Sequence, residues 1–220
     1  MENERRIDRT TSMGMDEHRL SDILHASQIK ATDIYETPPQ IIWIDNSTIA
    51  TLGNFSASTG KAKSKKTFNV SALVAASLAG KQVLNYRAHL PEGKQRILYV
   101  DTEQSRFHCR SVLERILRLA GLPTTTDPEN LDFFCLREYS PSVRIEVIDY
   151  ALRQQKGYGL VIIDGIRDLM LDINNAGESV EVINRMMEWS SRYDLHIHCV
   201  LHLNLSLIHI SEPTRLALIS

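Results

Sequence analysis

The stretch that most constrains this chain is Gly60-Lys61-Ala62-Lys63-Ser64-Lys65-Lys66-Thr67, with the apolar run behind it. It reads as a phosphate-binding loop of the form G-x-x-x-x-G-K-[ST], with Lys65 standing where the second glycine is expected. Ahead of it, Thr48-Ile49-Ala50-Thr51-Leu52 reads as a short buried strand entering the loop. Behind it, Thr67 to Leu78 is rich in Ala, Val and Leu and free of Gly and Pro, which predicts a buried helix. Strand, polar loop and helix are the context such a motif needs. Backbone N–H groups at a helix start face phosphate oxygens, and the helix dipole favours negative charge there. In this register Lys66 reaches the β- and γ-phosphates and the Thr67 hydroxyl sits on Mg²⁺, so the binding run extends from Gly60 through Phe68. A competing register takes Gly60-Lys61 as the Gly-Lys pair. It puts Ala62 at the metal-binding hydroxyl position and is rejected on that ground. Lys65 is compatible with close phosphate approach only if its backbone there is ordinary, because Gly is the residue that tolerates the alternative. With Lys61 and Lys63 its charge favours a polyphosphate.

Strands alternate with helices along the rest of the chain. Leu20, Ile23, Leu24 and Ile29 give a short helix within 19–33, behind a polar start to about residue 18 that is expected to be disordered. Ile41-Ile42-Trp43-Ile44 reads as a strand and Asp45-Asn46-Ser47 as a turn. Residues 81–96 read as a connection. Ile97-Leu98-Tyr99-Val100 is a buried strand, 105–120 an amphipathic helix stopped by Gly121, and 131–136 a strand. Ser140-Pro141 opens a helix running to Gln155, Leu160 to Ile163 is a strand, 178–192 a helix and 196–203 a strand. The pattern predicts an α/β domain with a mainly parallel sheet flanked by helices. In such sheets ligands bind beyond the carboxyl ends of the strands.

Three candidate groups lie at such ends: the loop, Asp101-Thr102-Glu103, and Asp164-Gly165. Asp164, after four apolar residues, is the candidate for supporting Mg²⁺. Asp101 and Glu103 lie on one side of an extended chain, and either suits orienting water and taking its proton; Glu103 is preferred. His202 and Asn204 alternate with Leu201 and Leu203 and form a candidate γ-phosphate sensor pair. Arg167, Asp168 and Asp172 follow Asp164 and face a groove, a neighbouring subunit or water. His196 and His198 share a strand face, a weak metal pattern.

Together, Gly60–Thr67, Tyr99-Val100-Asp101-Thr102-Glu103 and Val161-Ile162-Ile163-Asp164-Gly165 resemble the RecA-like P-loop ATPases. Within them the resemblance is nearest to the hexameric replicative-helicase branch, the RepA-like and AAA-type RecA-core proteins of plasmids and mobile elements. It covers about residues 38–204. The order of loop, strand-end Glu and strand-end Asp, with Gly165 rather than Glu after Asp164, is that branch's order. The resemblance implies an ATP-hydrolysing core with ATP and Mg²⁺ as cofactors. Lys66 and Thr67 then bind phosphate and metal, Asp164 supports the metal, and Glu103 activates water. It also implies single-stranded DNA as partner and a homo-oligomeric ring. A nucleotide-binding switch with little turnover and a small-molecule kinase are the rivals. Arg106 and Arg110 follow Glu103, but a kinase needs a lid segment, and no stretch reads as one.

Composition limits the alternatives. A net charge of −2 excludes a global nucleic-acid footprint. Cys109, Cys135 and Cys199 lack C-x-x-C spacing and read as free thiols of a reducing cytoplasm. No apolar run reaches membrane-span length, and Met-Glu-Asn-Glu-Arg-Arg is too charged for a signal peptide. Leu205 to Arg215 resembles a translated sequencing-adapter fragment. The expected division is therefore a tail and short helix over 1–37, an incomplete ATPase core over 38–204, and a non-native tail over 205–220.

Overall fold

A computed structural model describes residues 17–61, 65–172 and 176–203. The chain divides into two units, Met1–Thr37 and Pro38–Ser220. The first carries helix α1 (Glu17–Ser27), which buries none of its residues. It is shorter than the expected 19–33 segment, and it begins within the polar start. Residues 1–16 and the 205–220 tail lie outside the described residues.

The second unit holds two sheets. A five-stranded parallel sheet has the order β3-β8-β7-β5-β6, where β3 is Phe55–Lys61, β5 Arg96–Asp101, β6 Leu131–Cys135, β7 Tyr158–Asp164 and β8 His196–Leu203. An antiparallel sheet of order β2-β1-β4 joins β1 (Gln40–Ile44), β2 (Ser47–Thr51) and β4 (Tyr86–Ala88). Helices α2 (Lys66–Ala79), α3 (Arg106–Ala120), α4 (Pro141–Gln154) and α5 (Ala176–Arg192) connect the parallel strands. The fold is α/β with a mainly parallel sheet flanked by helices, as the alternating pattern predicts.

Alternation along the strands sorts the core into two layers. Ile97 and Tyr99 of β5 with Leu160 and Ile162 of β7 pack with Val70 and Leu73 of α2 and Val112 and Ile116 of α3. Leu98, Val100, Val161 and Ile163 face the other way, with Ile148 and Leu152 of α4 and Val182, Met186 and Trp189 of α5. Burial on both faces is why β5 and β7 are continuous apolar runs.

Two expectations are corrected. Residues 48–52 do not enter the loop; β2 pairs antiparallel with β1. The entering strand is β3, so Gly60 and Lys61 belong to a strand rather than to the loop. Its sequence, Phe-Ser-Ala-Ser-Thr-Gly-Lys, offers no apolar stripe: as an outer strand of the described sheet it leaves Ala57 and Thr59 exposed, and Ser56 and Ser58 face the histidines of β8. The 81–96 connection also contains a strand, β4, with Tyr86 and Ala88 buried against β1.

Candidate functional site

Register brings the carboxyl ends of the parallel strands together. Asp101 of β5 stands opposite Asp164 of β7, Asp164 opposite Val200 of β8, and Gly60 of β3 opposite His202 of β8. The end of β3, the Asp101–Glu103 turn and Asp164 therefore meet at one pole of the sheet.

The loop delivers Lys66 and Thr67 as the first residues of α2. Lys65 precedes them at φ 59°, ψ 24°, in the left-handed region, and its carbonyl accepts the first helical N–H groups, from Phe68 and Asn69. Its backbone is thus not ordinary: the loop takes the glycine conformation with a lysine in it. Lys66 is 7% exposed, and its ammonium donates to the Gly60 carbonyl at 2.7 Å. That bond holds a buried cation across the loop mouth. Phe68 is exposed on the first turn of α2. Ala62, Lys63 and Ser64 lie outside the described residues, and Lys61 is described in its backbone only.

Asp164 is 3% exposed. Burial pushes its carboxyl up to about 6, and nearby Asp101 adds to the rise; the Tyr99 hydroxyl, donating at 2.9 Å, opposes it, as do Lys66 and the Thr67 hydroxyl. Tyr99 is a contributor that its apolar strand concealed. Its ring stacks on Phe133 at 4.3 Å between centroids while its hydroxyl fixes the carboxylate. A phenol inside a buried run is the signal that was available, since a buried Tyr hydroxyl needs a partner.

Asp101 and Glu103 separate into two roles. Asp101 is fully buried, accepting from the Glu103 N–H at 3.0 Å, the Gln104 N–H at 2.8 Å and the Gln104 side-chain amide at 2.8 Å. It shapes the turn that carries Glu103. Glu103 reaches solvent, and partial burial still pushes its carboxyl up to about 7; Asp168, Asp164 and Asp101 add to this and Lys66 opposes it. A carboxyl near neutrality beside a surface is suited to accepting a proton from water.

Gly165 ties the two strand-end turns together. Its φ is 102°, and a Cβ there would collide with Thr102 Oγ1 and Glu103 Cγ. The Thr102 hydroxyl lies 2.8 Å from the Gly165 carbonyl and 3.0 Å from Asp168 Oδ2, so Asp168 belongs to this cluster. Arg144 of α4 braces it from behind, donating to the carbonyls of Leu136, Arg137 and Asp168.

Of the remaining candidates, His202 is placed by register beside Gly60, with no description of its side chain, and Asn204 lies outside the described residues. His196 and His198 are held by Ser56, Ser58 and the Thr51 carbonyl. Among the described residues no group of three His, Cys, Asp or Glu side chains is arranged to hold a metal. The oxygen donors of Thr67 and Asp164 fit Mg²⁺, which takes one or two protein oxygens and completes its shell with water and phosphate. Asp101, Asp164 and Asp168 raise the carboxyl of Glu103, and Lys66 opposes the rise, so the described carboxylates of this pole act on one another.

The model of the AAA domain family matches residues 20–205. This chain belongs to that family of P-loop ATPases. A search of curated proteins finds none that matches it. Family membership makes the chain a nucleotide-binding domain of the ATPase type, and such domains usually bind Mg²⁺ with the nucleotide. None of the described helices is long and apolar enough to cross a membrane.

Proposed function

We propose that this chain is the ATP-hydrolysing, RecA-like core of a DNA motor, of the helicase type that serves replication or mobilisation of a plasmid or mobile element. The observation that supports the reading is the meeting of Lys66, Glu103 and Asp164 at one pole, with Asp164 at the end of β7 and Glu103 in the turn that follows the adjacent β5. In this reading Lys66 and the loop from Gly60 through Phe68 hold the triphosphate. Thr67 and Asp164 hold Mg²⁺, which would neutralise charge on the transferring phosphoryl group. Glu103 orients water and takes its proton, and Asp101, Tyr99 and Thr102 keep the two carboxylates in place. His202 and Asn204 are the proposed sensor pair. The proposed partners are single-stranded DNA and further copies of the chain in a ring, and the proposed setting is the cytoplasm. The proposed division is 1–37, an ATPase core over 38–204, and a non-native tail over 205–220.

A nucleotide switch with little turnover is the second reading. It is favoured by Lys65, which holds a left-handed conformation at the position where the motif expects glycine.

The test is ATP hydrolysis with and without single-stranded DNA, in a chain extended to its genomic stop codon. DNA-stimulated turnover, lost in both Lys66→Ala and Glu103→Gln, is expected. Binding without turnover, unchanged by Glu103→Gln, would select the switch.

A further inference from the structure

β3 carries the phosphate loop and has a single strand neighbour in the described sheet, β8. Its central residues, Ser56-Ala57-Ser58-Thr59-Gly60, are small and largely polar. A strand of that kind specifies its register poorly, because no apolar face penalises a slip. A one-residue slip would nonetheless move Gly60 and the loop along β8. Something other than hydrophobic pattern must fix the pairing.

Four side chains between β3 and β8 supply it. His196 Nδ1 lies 2.9 Å from the Thr51 carbonyl and His196 Nε2 lies 2.8 Å from Ser56 Oγ. Ser56 Oγ is also 2.8 Å from His198 Nδ1, and His198 Nε2 is 2.8 Å from Ser58 Oγ. Every proton in this chain can be placed. A carbonyl only accepts, so His196 Nδ1 carries hydrogen. In a neutral ring Nε2 then accepts, from the single Ser56 hydroxyl hydrogen. With that hydrogen spent, Ser56 Oγ can only accept from His198, so His198 Nδ1 carries hydrogen. His198 Nε2 therefore accepts from the Ser58 hydroxyl.

The neutrality this requires has a cause. His196 is 1% exposed and His198 6%. Burial pushes each imidazole down to about 4, with His196 also opposing charge on His198. The cavity of about 170 Å³ beside Ser56, Ser58 and His198 is otherwise walled by Ile44 of β1, Ile49 of β2, Val70 and Leu73 of α2 and Tyr86 of β4. Tyr86, whose own hydroxyl is pushed up by burial, is the one other titratable group on that wall among the described residues.

We propose that the one-way hydrogen-bond chain Ser58–His198–Ser56–His196–Thr51 is a register lock, positioning the loop-bearing strand on β8 and thereby setting the loop for nucleotide. Its functional arm rests on the phosphate-loop reading above; the lock itself does not. Both rings must be Nδ1–H tautomers, the minority form of a free neutral imidazole, which gives a readout independent of activity.

The experiment is long-range ¹⁵N–¹H correlation of the histidine rings in the full chain, paired with binding of a fluorescent ATP analogue. Two neutral Nδ1–H rings at pH 7, unchanged at pH 5.5, are expected. An Nε2–H ring at either position, or ordinary titration near 6.5, would overturn the lock. Ser56→Ala removes both hydrogen bonds of the Ser56 hydroxyl, and should release both rings and weaken analogue binding about fivefold or more. Ser56→Thr, which keeps the hydroxyl on a strand-compatible side chain, should stay within twofold of the parent. Ser58→Ala should remove only the partner of His198 Nε2 and leave the His196 tautomer, a milder change that serves if Ser56→Ala does not fold. Parent-like affinity in Ser56→Ala would overturn the positioning role. A parent chain that fails to bind the analogue at all, with Lys66→Ala no different, would instead sink the loop reading, and the tautomers would still decide the lock.

Discussion

Lys65 carries a conformation that its side chain opposes. A non-glycine residue in the left-handed region costs about 1 kcal/mol, and here the residue is also the one that starts α2. Lys65→Gly should relieve that strain, although the added freedom of the unfolded chain offsets part of the gain. The expected result is an unfolding free energy within about 1 kcal/mol of the parent, with tighter nucleotide binding because the backbone can close on phosphate. Weaker binding in the glycine variant would mean that the lysine charge outweighs the backbone, and titration of a fluorescent nucleotide distinguishes the two. Asp164 supplies a second residue-scale prediction. Its carboxyl sits near 6, above the ordinary 3.8, so ionising it costs stability. The penalty is absent below about pH 4, grows through the window from 4 to 6, and is complete above it, on the order of 2–3 kcal/mol. Asp164→Asn should therefore raise the thermal midpoint at pH 7.5 while abolishing hydrolysis, with the stability gain shrinking toward pH 4. A midpoint lowered at neutral pH would show that the carboxylate is held by its partners rather than strained by burial.

At the scale of elements, the parallel sheet is tied at the pole opposite the site. Asp132 of β6 accepts from Arg96 of β5 at 2.8 Å and from the Tyr158 hydroxyl of β7 at 2.6 Å, and the Arg96 guanidinium lies over the Tyr158 ring. One carboxylate thus links three adjacent strands. Asp132→Ala leaves a guanidinium and a phenol short of a partner, and should cost about 1–3 kcal/mol in chemical denaturation without a direct effect on nucleotide affinity. A cost below about 0.5 kcal/mol would mark the contact as solvent-screened, as exposed ion pairs are. The same elements explain what the sequence made legible. β5 and β7 are buried on both faces and declare themselves as apolar runs; α3 and α5 show their periodicity, and the strand expected over 196–203 coincides with β8, His196–Leu203. β3 was concealed because its inward residues are serines that satisfy histidines instead of packing on aliphatic neighbours. β4 was concealed because three residues are too few to establish a period. At the site, the strand-end carboxylates were legible from position alone. The division between Asp101 and Glu103 was not, since it depends on which of them the turn's N–H groups face.

For the whole molecule, two sets of buried groups pull against each other across the same pH range. Raised carboxyls at the site gain stability as pH falls from 7 to 4, whereas the lowered imidazoles of His196 and His198 lose it as pH falls from 6.5 toward 4. Glu103 reaches solvent and contributes weakly, leaving Asp164 against two nearly inaccessible histidines. The histidines therefore win, and the chain should be destabilised by acid, its native state excluding up to two protons that the unfolded chain binds. Above pH 7 the histidines fall silent and the carboxylates dominate. There Mg²⁺ alone should stabilise the chain by about 1 kcal/mol or more once its concentration is roughly ten times its dissociation constant. The increment should be larger at pH 8 than at pH 5.5, because protons compete for the same oxygens. Thermal unfolding with and without Mg²⁺, at ionic strength matched with NaCl, measures it, and Asp164→Asn should remove most of it. An increment that is independent of pH, or that survives in the Asn variant, would place cation binding away from the carboxyl ends of β5 and β7.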